Sequence, residues 1–474
     1  MSTTTCIPLA SLSPVLQFFR RMHLYIGFFA GPFIFFAALT GTLYILTPQI
    51  ENLMYKDVLT AKPEGEMAPL SMQISVARAF KGDNAKIYAV RPAHNAVSTT
   101  RVMFSNDHEG PSTSHAVFVD PYTLRVKGQL PVYGTSGILP FRIWLDQLHS
   151  GMLLGSFGRI YSELAASWLW VAALGGVALW VATKKARPSK SSARGPRSLT
   201  RGAHTSLGLL LLSGMLFVSV TGLTWSQWAG DNISRLRSEM NWMTPQVNTH
   251  VIKDTASHSV DHSHGHEGHE MMPAGLQLAP HCHIEVNKPD ADWGKALLAA
   301  RLAGIDAENL ELRQPVEEGR TWVITELGRR WPTQADVVAL NPQDFSVIDR
   351  VNFDNFPLMA KLTRWGVDAH MGILFGLPNQ LILIFFGSGL CIMTVLGYRM
   401  WWLRKPVAAI NSPVTSLYHC WLDLSLYWKT GFLITSCLLG YMMPVMGGSL
   451  LIFAAFDVVC WRLKSMKARK RFKD

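Results

Sequence analysis

The sequence predicts a membrane protein, an α-helical transmembrane bundle built from a parallel internal repeat, with two external α+β domains. Three observations predict this fold class. The chain is 49% apolar and only 16% charged, well below the usual charged share of about 25%. Apolar runs of about 20 residues, the length of a bilayer-spanning helix, recur along it. Its histidine motifs occur twice, in the same order.

Six apolar runs are expected to span the membrane. The first has no small-residue cleavage site behind it, so we expect it to be retained. The segment "SLYHCWLDLSLYWK" near the fifth run can instead lie along the membrane interface. The runs lie near 24–47, 160–183, 205–228, 379–403, 427–443 and 445–462.

The net charge of +11 is concentrated in short segments beside the predicted spans. Residues 184–203 contain many Lys and Arg residues and no acid, and the tail at 463–474 is also basic. Such segments are cytoplasmic by the positive-inside rule. Both termini are therefore expected in the cytoplasm, and topology explains the charge without a nucleic-acid partner.

Two motifs are repeated. R-x-x-H-x-x-x-G, followed farther along the span by T-G, occurs at His23 and again at His204, with identical internal spacing. W-x4-H-x-G-x-x-x-G occurs at His149 and again, at a larger offset, at His370. Both copies enter from the cytoplasm, so the symmetry axis is expected along the membrane normal. The paired residues are Arg20, His23 and Gly27 with Arg201, His204 and Gly208, then Thr40-Gly41 with Thr221-Gly222, and Trp144 and His149 with Trp365 and His370.

The external segments are predicted to be α+β, because each contains a helix-like stretch followed by strand-like stretches and a hairpin. In the first copy the hairpin turn is Asp120-Pro121-Tyr122-Thr123, which is favourable turn chemistry. The predicted order is the N-terminus and first span (1–47), the first external domain (48–140), an outer histidine element with the second span (141–183), the basic cytoplasmic loop (184–203), the third span (204–228), the second external domain (229–365) with a His-rich insert (248–285), an outer histidine element with the fourth span (366–405), two further spans (417–462) and a basic cytoplasmic tail (463–474).

Four histidines, His23, His149, His204 and His370, recur at matched positions beside spans. Taken singly, each can be an interfacial or core residue. As two equivalent pairs they favour a functional site, because ionisable groups at membrane depth are costly. Neutral imidazole is a donor that suits iron, whereas zinc prefers tighter clusters with Cys or carboxylate.

The neighbouring residues favour bis-histidine b-type haem. Gly27 and Gly208 lie four residues after their histidines, on the same helical face, where a missing side chain leaves room for a flat macrocycle. Close helix packing is the alternative explanation for these glycines. Arg20 and Arg201 can pair with haem propionates at the cytoplasmic edge.

The predicted depth of the histidines decides which of them share an iron. His23 and His204 begin outgoing spans near the inner face, whereas His149 and His370 precede returning spans near the outer face. Ligands on opposite sides of a hydrocarbon core about 30 Å thick cannot share one iron. We therefore predict an inner haem on His23 and His204 and an outer haem on His149 and His370.

These motifs and their order resemble the PepSY-associated transmembrane family over roughly residues 15–405. The resemblance implies two periplasmic PepSY-like domains and an inner-membrane, multi-pass protein. It also implies the activity of some members, a dihaem reductase that reduces a ferric siderophore complex in the periplasm and releases Fe(II). The last two spans and the His-rich insert depart from the family pattern.

Reduction of iron requires an electron donor, and no G-x-G-x-x-G follows a strand, so no nicotinamide or flavin domain is encoded. A membrane quinol or a cytoplasmic reductase is therefore expected. The six cysteines form no C-x-x-C or C-x-x-C-H, which excludes a redox dithiol of that type and covalent c-type haem. The predicted contacts for an anionic ferric or other metal chelate are Arg142, Trp144, Arg364 and Trp365, although the tryptophans can equally be interfacial anchors.

The insert carries five closely spaced histidines, which can collect Zn, Cu or Ni ions or belong to a solvated linker without a dedicated role. They are His258, His262, His264, His266 and His269. Two other classes of function remain open: a non-catalytic PepSY regulatory protein that acts on a peptidase, and a protein that handles periplasmic copper or zinc.

Overall fold

The computed structural model describes residues 13–82, 85–105, 113–134, 137–184, 195–251, 291–403 and 416–471. Most of the predicted insert at 248–285, including its five histidines, lies outside the described residues, as does much of the basic loop predicted at 184–203. The chain divides into two compact units. The helical unit comprises Met1–Tyr44, Gln147–Met240 and Leu381–Asp474, and the sheet unit comprises Ile45–Asp146 and Asn241–Gln380.

Helices make up nearly all the secondary structure described in the helical unit, and several more belong to the sheet unit. In chain order, the helices are α1 (Pro14–Phe29), α2 (Gly31–Ile45), α3 (Thr47–Met54), α4 (Lys56–Leu59), α5 (Leu70–Lys81), α6 (Pro140–Gly151), α7 (Gly155–Lys184), α8 (Pro196–Leu210), α9 (Leu212–Thr224), α10 (Trp228–Glu239), α11 (Ala291–Leu302), α12 (Leu358–His370), α13 (Leu377–Trp402), α14 (Leu417–Leu422), α15 (Leu426–Met442) and α16 (Pro444–Arg471).

The first and third predicted spans are each broken into two helices. The pair α1 and α2 bends by 54° at Ala30, and the pair α8 and α9 bends by 60° at Leu211. Leu211 follows His204 at the same spacing as Ala30 follows His23, so the breaks fall at the same position of the repeat. Pro32 follows the first break, and Ser213-Gly214 follows the second; both sequences are known causes of helix kinks.

Among the described residues, three helices are long and apolar enough to cross a membrane, and up to five spans result if each bent pair is counted as one. The three are α7, α13 and the Pro444–Leu463 part of α16. The predicted fifth span corresponds to α15, which has 17 residues, near the lower limit for a spanning helix. Membrane-spanning character is therefore supported, while the six-span count stays a prediction.

Helices α1, α2, α7, α9 and α16 share one hydrophobic core in the helical unit. Ile26 and Trp168, which are almost fully buried, lie in this core with Leu211. The C-terminal helices join it through the Phe29 and Phe453 rings, which stack with centroids 4.9 Å apart, and through a 2.9 Å hydrogen bond from Trp168 Nε1 to the Ser449 hydroxyl. The helices beyond the predicted four-span region thus pack against the helices that carry the repeated motifs.

In the described part of the sheet unit, eight strands form an antiparallel sheet in the order β4-β3-β2-β1-β5-β6-β7-β8. The strands predicted for two separate external domains therefore belong to one continuous sheet. Their bounds are β1 (Ile87–Arg91), β2 (Thr100–Ser105), β3 (Thr113–Val119), β4 (Val126–Tyr133), β5 (Leu310–Arg313), β6 (Trp322–Glu326), β7 (Val337–Leu340) and β8 (Val347–Val351). The predicted hairpin turn joins β3 to β4, where Asp120 Oδ1 accepts the Tyr122 and Thr123 N–H groups at 3.0 and 3.2 Å.

The seam between the two sets of strands is the β1–β5 pair, in which Val90 lies opposite Leu312. Pairing of these two edges removes exposed strand edges, which are aggregation-prone. Helices α5 and α11 pack on one face through a core that contains Ile74, Trp293 and Trp322. That core runs across the seam, so the eight strands and their two helices form one folding unit.

Candidate functional site

His23 and His204 come together in the helical unit. His23 lies in the middle of α1 rather than at its start, and His204 lies in α8. Their ring centroids are 6.4 Å apart and their planes are inclined by 80°. Metal–imidazole bonds are about 2.0–2.1 Å, and a ring centre lies about 1.1 Å beyond its nitrogen, so two imidazoles on opposite sides of one metal have centroids about 6.3 Å apart. A direct edge-to-face ring contact also falls within this range.

The two imidazoles differ in how their Nδ1 atoms are held. His204 Nδ1 lies 2.9 Å from the Met393 carbonyl, so Nδ1 carries the proton and Nε2 keeps a lone pair. This is the arrangement that orients metal-ligating histidines. The Ala172 carbonyl acts on the His23 ring, but His23 Nδ1 is buried without a hydrogen-bond partner of normal geometry among the described residues. Both rings therefore keep a nitrogen available to a ligand.

Two glycines that the sequence analysis did not identify lie against these histidines. A Cβ at Gly176 in α7 would be 3.3 Å from His23 Cε1, and a Cβ at Gly397 in α13 would be 3.7 Å from His204 Cε1. The offset between the two glycines equals the offset between His149 and His370 in the second repeated motif. Extending that alignment along the second and fourth spans would have found them.

The predicted glycines Gly27 and Gly208 lie just before the two helix breaks. A Cβ on Gly27 would meet no other described atom within 4 Å, while a Cβ on Gly208 would lie 3.3 Å from Met393 Sδ. Tyr398 donates its O–H to the Gly27 carbonyl at 3.1 Å, which satisfies a backbone acceptor that the bend leaves without a helical partner. The open side of Gly27 fits a planar group lying beside His23.

The predicted propionate partners Arg20 and Arg201 lie in a group of like charges in the helical unit. Arg20 is repelled by Arg21, Arg197 and Arg201. None of Arg20, Arg197 and Arg201 forms an ion pair with an acidic residue in the described part of the chain. Such a group fits an anion with two carboxylates.

His149, in α6, is also held through Nδ1. Thr40 Oγ1 donates to the Phe36 carbonyl at 2.8 Å and lies 3.0 Å from His149 Nδ1. With the Thr40 proton on the Phe36 carbonyl, His149 Nδ1–H would donate to Thr40 Oγ1 and Nε2 would keep its lone pair. A Cβ at Gly41 would lie 3.1 Å from His149 Cε1. In the first copy, the T-G pair Thr40-Gly41 thus lies against a histidine.

His370 is the last residue of α12 in the sheet unit and is half-buried. Two residues before it, the fully buried Asp368 accepts ion pairs from Arg329 at 2.6 Å and from Arg364 at 3.2 Å. Arg364, predicted to contact substrate, is therefore partly neutralised. Trp365 packs against Trp331 with ring centroids 5.3 Å apart.

The other predicted substrate contacts lie at the start of α6. Arg142 pairs with Glu51 at 3.3 Å, and Trp144 is half-exposed and stacks on Phe141. A separate open depression of about 450 Å³ is lined by Arg330, Trp331, Leu374, Phe375, Gly376 and Leu377. The sequence analysis did not single out Arg330 or Trp331. No group of three or more His, Cys, Asp or Glu side chains arranged for a metal ion occurs in the described part of the chain.

Comparison with known proteins bears on the repeated histidine motifs. The family described as the PepSY-associated TM region matches residues 20–404, a span that contains all four repeated histidines. The chain belongs to this family. The predicted resemblance is therefore confirmed, and a PepSY-associated TM region is a feature of membrane proteins. The match ends before α14, so the helices after it are additions to the PepSY-associated TM region in this chain. A search of curated proteins found no match.

Proposed function

We propose that the protein is an inner-membrane dihaem oxidoreductase that reduces a ferric chelate, such as a siderophore complex, on the periplasmic side and releases Fe(II). Its inner haem would be held by His23 and His204, and its outer haem by His149 and His370. Haem, when bound, supplies one-electron redox chemistry.

The observation that carries this proposal is the separation of His23 and His204. Their 6.4 Å centroid distance matches the value of about 6.3 Å expected for two imidazoles on one iron. The Met393 carbonyl fixes the tautomer of His204, and Gly176 and Gly397 allow helices α7 and α13 to approach the two rings. If His23 and His204 only packed against each other as neutral rings, the open space beside Gly27 would have no use.

The chain's own residues would bind and orient the cofactors and exclude water. The buried core around Ile26 and Leu211 surrounds the inner site with apolar side chains, which favours a desolvated redox centre. Arg20 and Arg201 would bind propionates at the cytoplasmic edge. We expect both termini in the cytoplasm from the basic segments, and electrons from a membrane quinol or a cytoplasmic reductase.

An absorption spectrum of the purified full chain tests the proposal. We expect split α and β bands on reduction with dithionite, two haems per chain by pyridine haemochrome assay, and reoxidation of the bands when a ferric chelate is added anaerobically. Release of Fe(II), trapped by a ferrous chelator, should follow the reoxidation. A protein that is isolated without haem from haem-supplemented cells would contradict the proposal, and reduced bands that persist with every ferric chelate would remove the reductase activity.

A further inference from the structure

Two arginines lie directly opposite each other in the sheet unit. Arg91 in β1 is the antiparallel partner of Arg101 in β2, and like charges at such positions are destabilising. Arg91 is neutralised across the seam by Glu311, whose carboxylate lies 2.6 Å away and is almost fully buried. The same carboxylate also pairs with Arg313 at 2.7 Å. The direct contacts of this carboxylate are thus with Arg91 and Arg313.

Arg101 has no acidic partner of its own among the described residues. Its Nη1 donates to the Gly137 carbonyl at 2.8 Å, and its guanidinium lies 5.1 Å over the Phe118 ring. Burial and then the charge of Arg91 lower the pKa of Arg101. Because a guanidinium has so high an ordinary pKa, the group nevertheless stays charged at neutral pH.

The charges around Arg101 do not balance. Glu51 and Glu311 act on it as negative groups, and Arg91 and Arg142 act as positive groups. With Arg101 itself, three guanidiniums and two carboxylates interact here, an excess of one positive charge. Burial raises the pKa of Glu51, and the neighbouring Arg142 and Arg101 oppose that shift.

Arg101 is partly buried, a charge without a partner is costly to bury, and Arg recognises carboxylate through two parallel N–H···O bonds. We propose that Arg101, with Arg91 and Arg142, binds a carboxylate group of the ferric chelate, so that the substrate belongs to the class of anionic, carboxylate-bearing chelates. The assignment of this carboxylate to the substrate rests on the proposed function. At the offset that relates His149 to His370, Leu312 and Trp322 replace Arg91 and Arg101, so the site occurs once per chain.

Binding of citrate to the purified full chain, measured by calorimetry at low ionic strength, tests the site without any redox step. We expect Arg101→Gln to weaken citrate and ferric citrate binding by about tenfold or more, the size of a lost charge-assisted hydrogen-bond pair. Arg125→Gln removes an exposed arginine elsewhere in the sheet unit and should leave the affinity unchanged. A neutral ferric tris(hydroxamate) should bind more weakly than ferric citrate to the wild type.

Several results would overturn the proposal. One is that citrate does not bind the wild type, and another is that Arg101→Gln leaves the affinity unchanged. A third is that only Arg330→Gln loses binding, which would place the anion in the depression beside Trp331. Loss of haem from Arg101→Gln would mean that the arginine serves a haem propionate instead.

If Arg101→Gln does not fold, Arg101→Lys decides, because it keeps the charge but loses the planar fork and should still weaken citrate binding. A haem-free protein whose citrate binding needs Arg101 would reject the proposed function and retain the anion site.

Discussion

The two copies of the repeated unit agree around their first histidines and disagree in the sheet. His23 and His204 lie on helices that break at matched positions, and glycines at matched positions, Gly176 and Gly397, lie against their rings. In the sheet, by contrast, Arg101 of the first copy corresponds to Trp322 of the second. Residues that share a proposed cofactor are thus kept in both copies, whereas each half of the sheet is free to specialise.

A smaller difference lies within the histidine pair itself. His204 Nδ1 is bound to the Met393 carbonyl at 2.9 Å, while the buried His23 Nδ1 has no hydrogen-bond partner of normal geometry in the described chain. The two ligands of one iron would then differ in basicity, because a hydrogen bond on the distal nitrogen strengthens the ligand. The copies are therefore equivalent in position, while the hydrogen bonding of their Nδ1 atoms differs.

The strongest test of the equivalence is removal of either histidine. His23→Ala and His204→Ala should each remove one haem of two, because each histidine would be one of the two side chains that hold the inner haem. Pyridine haemochrome quantification measures the loss. His419→Ala, a histidine of the same unit outside the repeat, should keep both haems. If His23→Ala and His149→Ala abolish the same spectral component and the other two substitutions do not, the pairing is wrong.

Gly27→Leu tests the proposed space beside His23. A side chain there meets open space in the structure, so the variant should fold, and it should still lose most of the inner haem because the leucine occupies the face needed by the macrocycle. Gly431→Leu, also at an unobstructed helical glycine, is the matched control. Haem content and thermal unfolding are measured together. Full haem occupancy in Gly27→Leu would assign this glycine to another role.

Glu311→Gln tests the seam that joins the two copies in the sheet. It leaves Arg91 and Arg313 buried without their shared carboxylate, which should destabilise the sheet unit by about 3–5 kcal/mol. Chemical denaturation followed by tryptophan fluorescence measures the change. Glu317→Gln, at an exposed i,i+3 pair with Arg320, should change stability by less than about 1 kcal/mol.

The stability difference between the wild type and Glu311→Gln has a defined pH dependence. Burial opposes ionisation of Glu311, yet Arg91 and Arg313 hold its pKa below the ordinary value of 4.5. A carboxyl whose folded pKa is lowered stabilises the protein above its unfolded pKa and loses that contribution as the pH falls through the folded pKa. The advantage of the wild type over Glu311→Gln should therefore be complete at neutral pH and shrink below about pH 4.5. A constant difference down to strongly acidic pH would contradict this assignment.

Thr40→Val should have the smallest effect. It removes the hydroxyl that accepts from His149 Nδ1 while keeping the side-chain volume, and loss of such an outer-shell hydrogen bond typically weakens a metal site by about 10–100-fold. Haem transfer to an apo-haem acceptor measures the weakening, which should affect only the outer haem. Thr183→Val, whose hydroxyl bonds only to its own helix at the Leu179 and Trp180 carbonyls, should release haem at the wild-type rate. Equal rates in both variants would mean that Thr40 does not orient His149.

The sequence by itself determined the features that depend on local pattern. Apolar length predicted α7 and α13, the order of a helix followed by strands predicted both halves of the sheet, and the spacing around His23 and His204 identified their motif. The breaks in the first and third spans were not predicted, although Pro32 follows the first of them. The family match over residues 20–404 accords with these patterns, because both depend on the spacing of motifs along the chain.

Only the tertiary structure decided which distant residues meet. The pairing of Val90 with Leu312 across the seam and the contact of Thr40 with His149 join segments that no local periodicity relates. The surplus of positive charge around Arg101 arises because Arg91 lies opposite it and because Arg91 and Arg313 share Glu311. Hydrogen bonds and ion pairs act over a few ångströms, so chain folding, rather than residue spacing, determines which groups are satisfied and which remain available to a ligand.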